Sequence, residues 1–234
     1  MITLQTPSHA TLHRLRLSAS NAYLIVGDGA VLVDSGLRGE GRRILGALGA
    51  KGLRPSELKL ILLTHGHIDH AGGAREIAAQ TGAPIAMHAE DARWVSSGLE
   101  VPAPPITRWA RSISRLLSVR MIRARMAIVP FTPAIVLGDA DFDLGEFGIP
   151  AVVVHTPGHT AGSVSVLLED GTAIVGDLAM NGLPSLQFSP GPPIVAQDLD
   201  KLSRSWQKVC NRGATTVYPG HGAPFHSRSF RIKA

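Results

Sequence analysis

Four residues within six positions, His65, His67, Asp69 and His70, carry side chains suited to holding metal ions. Imidazole is a common metal ligand, and a carboxylate beside it adds a harder oxygen donor. The run follows Leu60, Ile61, Leu62 and Leu63, four aliphatic residues in a row that read as a buried strand. Alternate side chains of an extended segment point the same way, so His65 and His67 can converge on one ion. Asp69 and His70 fall where the chain is expected to turn into a helix beginning near Ala71, facing a neighbouring point. The spacing therefore predicts two adjacent metal positions. A loop rich in histidine by composition alone would not sit directly behind an aliphatic strand.

Three more candidates occupy strand-to-loop junctions. His159 follows Pro157 and Gly158, which fix a tight turn and let the backbone come close to a neighbour. Asp177 emerges from the apolar run Thr172 to Val175, where a carboxylate can sit between two cations and bridge them. His221 lies between glycines after the strand expected at Thr215 to Tyr218. Asp34 closes an apolar strand. It reads either as a cap of the following turn or as a group that orients a metal-site histidine. His88 and His155 read as structural, or for His155 as a support to the ligand loop. His226 has no ligand-like setting, and Cys210 reads as a packed structural thiol in a helix.

The elements that must position these residues alternate along the chain. Strands are expected at Leu12 to Leu17, Ala22 to Val26 and Ala30 to Val33, the last two joined by a turn at Gly27, Asp28 and Gly29. A helix over Gly39 to Ala50 precedes the central strand, and another over Ala71 to Thr81 leads to a short strand at Ile85 to Met87. Strand, helix, strand predicts a parallel pair. The second half begins with strands at Ala134 to Leu137 and Ala151 to Val154. A hairpin pairs Ser163 to Leu168 with Thr172 to Val175, Leu183 to Pro193 reads as loop, and a helix spans Asp198 to Asn211. The two halves share a strand-rich pattern without a sequence repeat.

Composition bounds the rest. With 234 residues, 44% hydrophobic and 18% charged, the chain can bury a proper core, and it is expected to form one domain over 1–234. Its single cysteine excludes an internal disulfide. No apolar run is long enough to span a membrane, and none near Met1 resembles a signal peptide, so a soluble cytoplasmic protein is expected. The net charge of +5 is unevenly spread. Between Val101 and Gly138 there is no acidic residue, while Arg108, Arg111, Arg115, Arg120, Arg123 and Arg125 fall inside. Apolar residues recur among them at helical spacing, predicting a helical insertion near 98–126. It reads as a solvated basic face, a cap over the site mouth lending cations to an anionic substrate, a dimer contact or a membrane-surface helix.

The ordered set His65, His67, Asp69, His70, His159, Asp177 and His221, with Asp34 upstream, resembles the metallo-β-lactamase-fold superfamily of hydrolases. The resemblance implies an α/β fold, an αββα sandwich of two mixed sheets with outer helices, carrying a dinuclear site at one edge. By position, His65, His67 and His159 would hold the first ion and Asp69, His70 and His221 the second, with Asp177 bridging and Asp34 beside the site. The implied cofactors are two divalent ions, zinc first, with iron, manganese and cobalt sharing such ligands. Two ions roughly 3.5–4 Å apart lower the pKa of a shared water toward neutrality. The resulting nucleophile attacks an ester, thioester or lactone carbonyl, and Asp69 orients it. A phosphodiesterase, β-lactam hydrolysis as a side activity and a non-catalytic metal-containing sensor are the alternatives. The ligand set is similar to that of glyoxalase II, without that enzyme's helical C-terminal domain. Flavodiiron proteins place a glutamate where this chain has His67. Acyl-homoserine lactonases place a tyrosine where it has Met180. The expected partner is a small molecule, with no nucleic acid.

Overall fold

The computed structural model describes residues 9–99, 101, 103–106, 128–182 and 189–230. Within them, two six-stranded sheets pack face to face. The first sheet runs β1 (Thr11–Arg16), β2 (Asn21–Val26), β3 (Ala30–Val33), β4 (Leu58–Leu62), β5 (Ile85–His88) and β6 (Ile135–Leu137) in that order. Its first two pairings are antiparallel and the remaining three parallel. The second comprises β7 (Phe142–Asp143), β8 (Ala151–His155), β9 (Val164–Leu168), β10 (Thr172–Gly176), β11 (Thr216–Pro219) and β12 (Phe225–His226), again neighbours in chain order. Only β10 with β11 is parallel in that sheet. Both sheets are therefore mixed, as the resemblance implies.

Helices cover the outer faces: α1 (Gly41–Ala50), α2 (Ile68–Ala71), α3 (Ala74–Thr81) and α4 (Ala89–Ser96) over the first sheet, α5 (Leu199–Asn211) over the second. Alternation along the strands sorts the side chains. Leu24, Leu32, Ile61 and Met87 pack outward against the helices, whereas Tyr23, Ile25, Val31, Leu60 and Leu62 face the second sheet. Buried on both faces, β3 and β4 are apolar where they cross the core, as central strands of a covered sheet must be. On the far side, Trp206 of α5 stacks on Phe230 with ring centroids 3.9 Å apart. None of the described helices is long and apolar enough to cross a membrane.

The boundaries correct several expectations. The helix expected over Ala71 to Thr81 is two helices, separated at Gly72 and Gly73, where no side chain would fit. A Cβ on Gly72 would lie 2.4 Å from the Ile68 carbonyl oxygen, and one on Gly73 would lie 2.4 Å from that of Ser35. The first of the two begins at Ile68, so Asp69 and His70 are inside a helix rather than before it. The two-residue strands β7 and β12 are elements that periodicity does not reveal, being too short to show a repeat, and α4 is a further helix beyond those expected. Most of the helical insertion near 98–126, and of the loop at Leu183 to Pro193, lies outside the described residues.

Candidate metal centre

Both sheets deliver their ligand-type residues to one edge of the sandwich. Strand β4 ends at Leu62, and the turn after it holds His65 and His67, both buried. Across the gap the turn after β8 presents His159 with its Nε2 2.9 Å from His67 Nδ1, while His65 Nε2 lies 3.1 Å from that same nitrogen. Helix α2 supplies Asp69 and His70, and the turn after β11 supplies His221, whose Nε2 lies 3.3 Å from both His70 Nε2 and Asp69 Oδ2. Asp177, following β10, stands between the two groups. Its Oδ2 is 3.5 Å from His159 Nε2 and 3.4 Å from His221 Nε2, and its Oδ1 is 3.5 Å from His70 Nε2.

Every imidazole in this cluster has one ring nitrogen committed to an oxygen, leaving the other facing inward. His67 Nε2–H donates to the Val101 carbonyl at 2.9 Å, His159 Nδ1–H to Val195 at 2.8 Å and His221 Nδ1–H to Ala19 at 2.9 Å. His70 Nδ1–H donates to Asp34 Oδ2 at 2.8 Å. The Thr64 hydroxyl, donating to Asp34, accepts from His65 Nδ1 at 3.1 Å. Such bonds fix the tautomer and aim the free nitrogen, as histidines in metal sites require. Asp34 thus orients two of the rings, one of them through Thr64. It holds a left-handed backbone with φ 63°, unusual for a residue other than glycine, and its carboxylate also accepts the Thr64 N–H at 2.8 Å.

The donors fit divalent cations. Three groups bring their donor atoms together: His65, His67 and His159; Asp69, His70 and His221; and His65, His70 and Asp177. Asp177 Oδ1 is buried without a hydrogen-bond partner among the described residues, a costly state for a carboxylate oxygen that coordination relieves. Gly220 leaves the space clear, since a Cβ there would lie 2.3 Å from Asp177 Oδ1 and 2.6 Å from His70 Cε1. Gly220→Ala is accordingly expected to cost at least one metal equivalent and about 100-fold in turnover, since misplacing reacting groups by ~1 Å has effects of that order. Metal analysis beside circular dichroism checks it; two metals and full rate in the variant would refute the packing argument.

Protonation separates the two histidine groups. Burial and the surrounding imidazoles hold His65 well below its ordinary value, and burial lowers His159. At His70 burial also pulls downward, but the carboxylates of Asp69, Asp177 and Asp34 outweigh it and raise the ring to about 9. His221 is likewise raised well above the ordinary imidazole value, burial again being outweighed by Asp177 and Asp69. A metal at these rings must displace protons at neutral pH, so apparent affinity there rises with pH toward 9, whereas burial disposes His65 and His159 to the neutral form. Across pH 6 to 9, metal uptake at the His70 and His221 group is therefore expected to lag that at the His65 group and to strengthen as the pH rises. Zinc stoichiometry by dialysis across that range tests it, and simultaneous loading would refute it. The sign for the metal-free fold is the opposite. The raised His70 contributes stability that is present below pH 6.5 and lost as pH climbs through about 9.

Comparisons with known proteins identify the family and the fold. A family model described as the metallo-beta-lactamase superfamily matches residues 15–221. The chain belongs to that superfamily. Relatives of this superfamily member include a probable metallo-hydrolase of Methanocaldococcus jannaschii, 26% identical over 87% of this chain and 88% of that one. An uncharacterized protein of Mycobacterium leprae is 31% identical over 86% of each chain. Among solved structures, the B3 metallo-beta-lactamase BLEG-1 superposes with a TM-score of 0.69 at 22% identity, covering 94% of this chain and 95% of that one. TTHA1623, solved in a di-iron-bound form, superposes at 0.64 with 25% identity over 93% and 95%.

Sequence reasoning about this metallo-beta-lactamase superfamily member misses one central residue. Asp91, in the first turn of α4, is fully buried. Its Oδ2 accepts the Gly66 N–H at 2.8 Å and the Thr160 hydroxyl at 2.8 Å, and its Oδ1 accepts the Gly162 N–H at 3.0 Å. One carboxylate thus pins the His65–His67 turn of one sheet to the His159 turn of the other. An acidic residue in a first helical turn is common for dipole reasons alone, so nothing local marks it. His88, read as structural, and His155, read as structural or as a support to the ligand loop, lie against each other, while His226 stays at the surface as the N-cap of a short turn. The Cys210 thiol is pushed up by burial, which suits a packed rather than a reactive role.

Proposed function

We propose that the protein is a dinuclear metal-dependent hydrolase that cleaves an ester, thioester or lactone. The placement of Asp177 carries the reading: its two oxygens face the two histidine groups at once, as a bridging ligand must. His65, His67 and His159 would hold one ion, and Asp69, His70 and His221 the other. Two such ions, when bound, would supply an activated water at neutral pH and polarisation of a carbonyl.

The chain's own residues do the rest. Asp69 is the one carboxylate of the cluster with appreciable exposure, its side chain 23% accessible, so it is placed to meet a substrate and to orient the attacking water. The coulombic pull of His70 and the bond from His221 overcome burial and keep it ionised. Asp34 and the three backbone carbonyls hold the imidazoles in the required tautomers. The acid-free, arginine-rich stretch between Val101 and Gly138 supports a small anionic substrate. Zinc suits five imidazoles and two carboxylates, and iron is the competing occupant, since TTHA1623 is seen in a di-iron-bound form.

Metal content, measured together with hydrolysis of a thioester, a lactone, an aryl ester, a phosphodiester and a β-lactam, tests the proposal. Two metals per chain and preferred cleavage of a carboxylic ester, thioester or lactone are expected. Preference for the phosphodiester would assign phosphodiesterase chemistry instead. No metal under any loading condition would sink the reading.

A further inference from the structure

Asp69, His70 and His221 are held from outside by two turns that lie apart in the chain. The turn between β1 and β2, residues 17–20, is closed by the Leu17 N–H donating to the Ser20 carbonyl at 2.9 Å. Its Ala19 carbonyl accepts the His221 Nδ1–H at 2.9 Å, and its Ser20 hydroxyl donates to the Asp69 carbonyl. The loop after β3, residues 34–40, holds His70. Asp34 takes the ring Nδ1–H, while the Ser35 N–H and hydroxyl donate to the His70 carbonyl at 2.7 and 2.6 Å.

One buried carboxylate joins the two turns. Glu40 Oε1 accepts the Ser18 N–H at 2.7 Å and the Ser18 hydroxyl at 2.8 Å. Its Oε2 accepts the Leu37 N–H at 2.9 Å. Bonds to an ionised acceptor are roughly twice as strong as neutral ones, so three on one carboxylate make a firm joint. The charge also lies at the N-cap of α1, where the helix dipole favours an anion. Gly36, with φ 69°, leaves the carboxylate its place, since a side chain there would meet Glu40 Oε2. A cap of its own loop would need only the Leu37 bond. The two bonds to Ser18, 22 positions away, couple that loop to the turn beside His221. Asp91 makes the corresponding joint between the turns that carry His65, His67 and His159.

We infer that Glu40 is a positioning residue for the Asp69, His70 and His221 group. Through Ser18 it sets the place of the Ala19 carbonyl that aims His221 and of the Ser20 hydroxyl that holds the Asp69 backbone. Through Leu37 it fixes the loop that holds His70. Its bearing on the reaction rests on the reading of that group as a metal position.

Ring-nitrogen NMR of the full chain labelled with ¹⁵N-histidine, metal-free and through a Zn²⁺ titration, would compare it with Glu40→Ala and Glu40→Gln. In metal-free Glu40→Ala the His221 and His70 signals are expected to move. Those of His67 and His159, held by Val101 and Val195, should stay. Zinc affinity at His221 should fall about tenfold, the lower end of what losing a supporting bond costs, while affinity at His159 holds. Glu40→Gln keeps an acceptor for Ser18 and should recover part of the loss. A general loss of stability would not sort the rings in this way. Should Glu40→Ala fail to fold, Ser18→Ala, which removes one of the three bonds at an exposed residue, is expected to move the same two rings by less. If neither protein binds zinc, the dinuclear reading fails, and the metal-free signals still decide this one. Unmoved His221 and His70 signals, or equal movement of His67 and His159, overturn it.

Discussion

Replacing Asp177 with alanine is expected to remove one metal equivalent and to lower turnover by on the order of 10²–10³-fold, while the chain stays folded. The magnitude follows from losing an ion whose charge stabilisation is worth several kcal/mol, at about 1.36 kcal/mol per decade of rate. Folding is expected to survive the loss of the contacts with His70 and His221, because the surrounding rings keep other partners. One of its oxygens has no hydrogen-bond partner among the described residues, and its neighbours are rings already held by Asp34, Val195 and Ala19. The anion itself is kept ionised against burial by His221, His70 and His159. Removing it should therefore also lower the proton affinity of His221. Metal analysis, steady-state kinetics and a thermal melt on one preparation test all three consequences. Retention of both metals at full rate would refute the bridging role.

Asp91→Ala is expected to act differently, through the fold. It orphans the Gly66 and Gly162 amides and the Thr160 hydroxyl, all bound to a fully buried carboxylate. Stranded buried donors cost about 1–3 kcal/mol each, so a loss of roughly 3–5 kcal/mol is expected, some of it recovered by water entering the space. In a chain of this size that corresponds to a fall in Tm of about 6–20 °C. Because both turns carry ligand histidines, affinity at the His65, His67 and His159 group should drop about tenfold or more, as when other supporting bonds are removed. The conservative Asp91→Asn variant tests the mechanism. It keeps an acceptor for one or two donors and should recover part of the stability. Equal effects from both substitutions would mean that charge, not the pattern of bonds, is what Asp91 supplies.

How far these features are legible in the sequence depends on the range over which they act. The pairing of His65 with His67 follows from the period of an extended chain, and the tight turns at Gly158 and Gly220 follow from residue type. Those are properties of a few consecutive residues. The amino-acid order alone therefore yields the candidate ligands and, through their succession, the family and the mixed-sheet sandwich. For Asp34 the order leaves two roles open, a cap and a histidine-orienting group, and only the 2.8 Å approach of His70 decides between them.

What the tertiary structure alone determines are meetings between segments far apart in the chain. Asp91 is an ordinary helix-start acid until folding sets it between two turns from different sheets. His88 and His155 are two isolated histidines until the sheets stack them against Asp139. Gly72 and Gly73, between the two short helices, leave room for the backbone of Ser35 and Arg38, which a side chain there would meet. Local periodicity reports which face of an element is apolar, but not what that face will touch. The ligands are visible because their own spacing is local, and their supports are not, because each is made by packing.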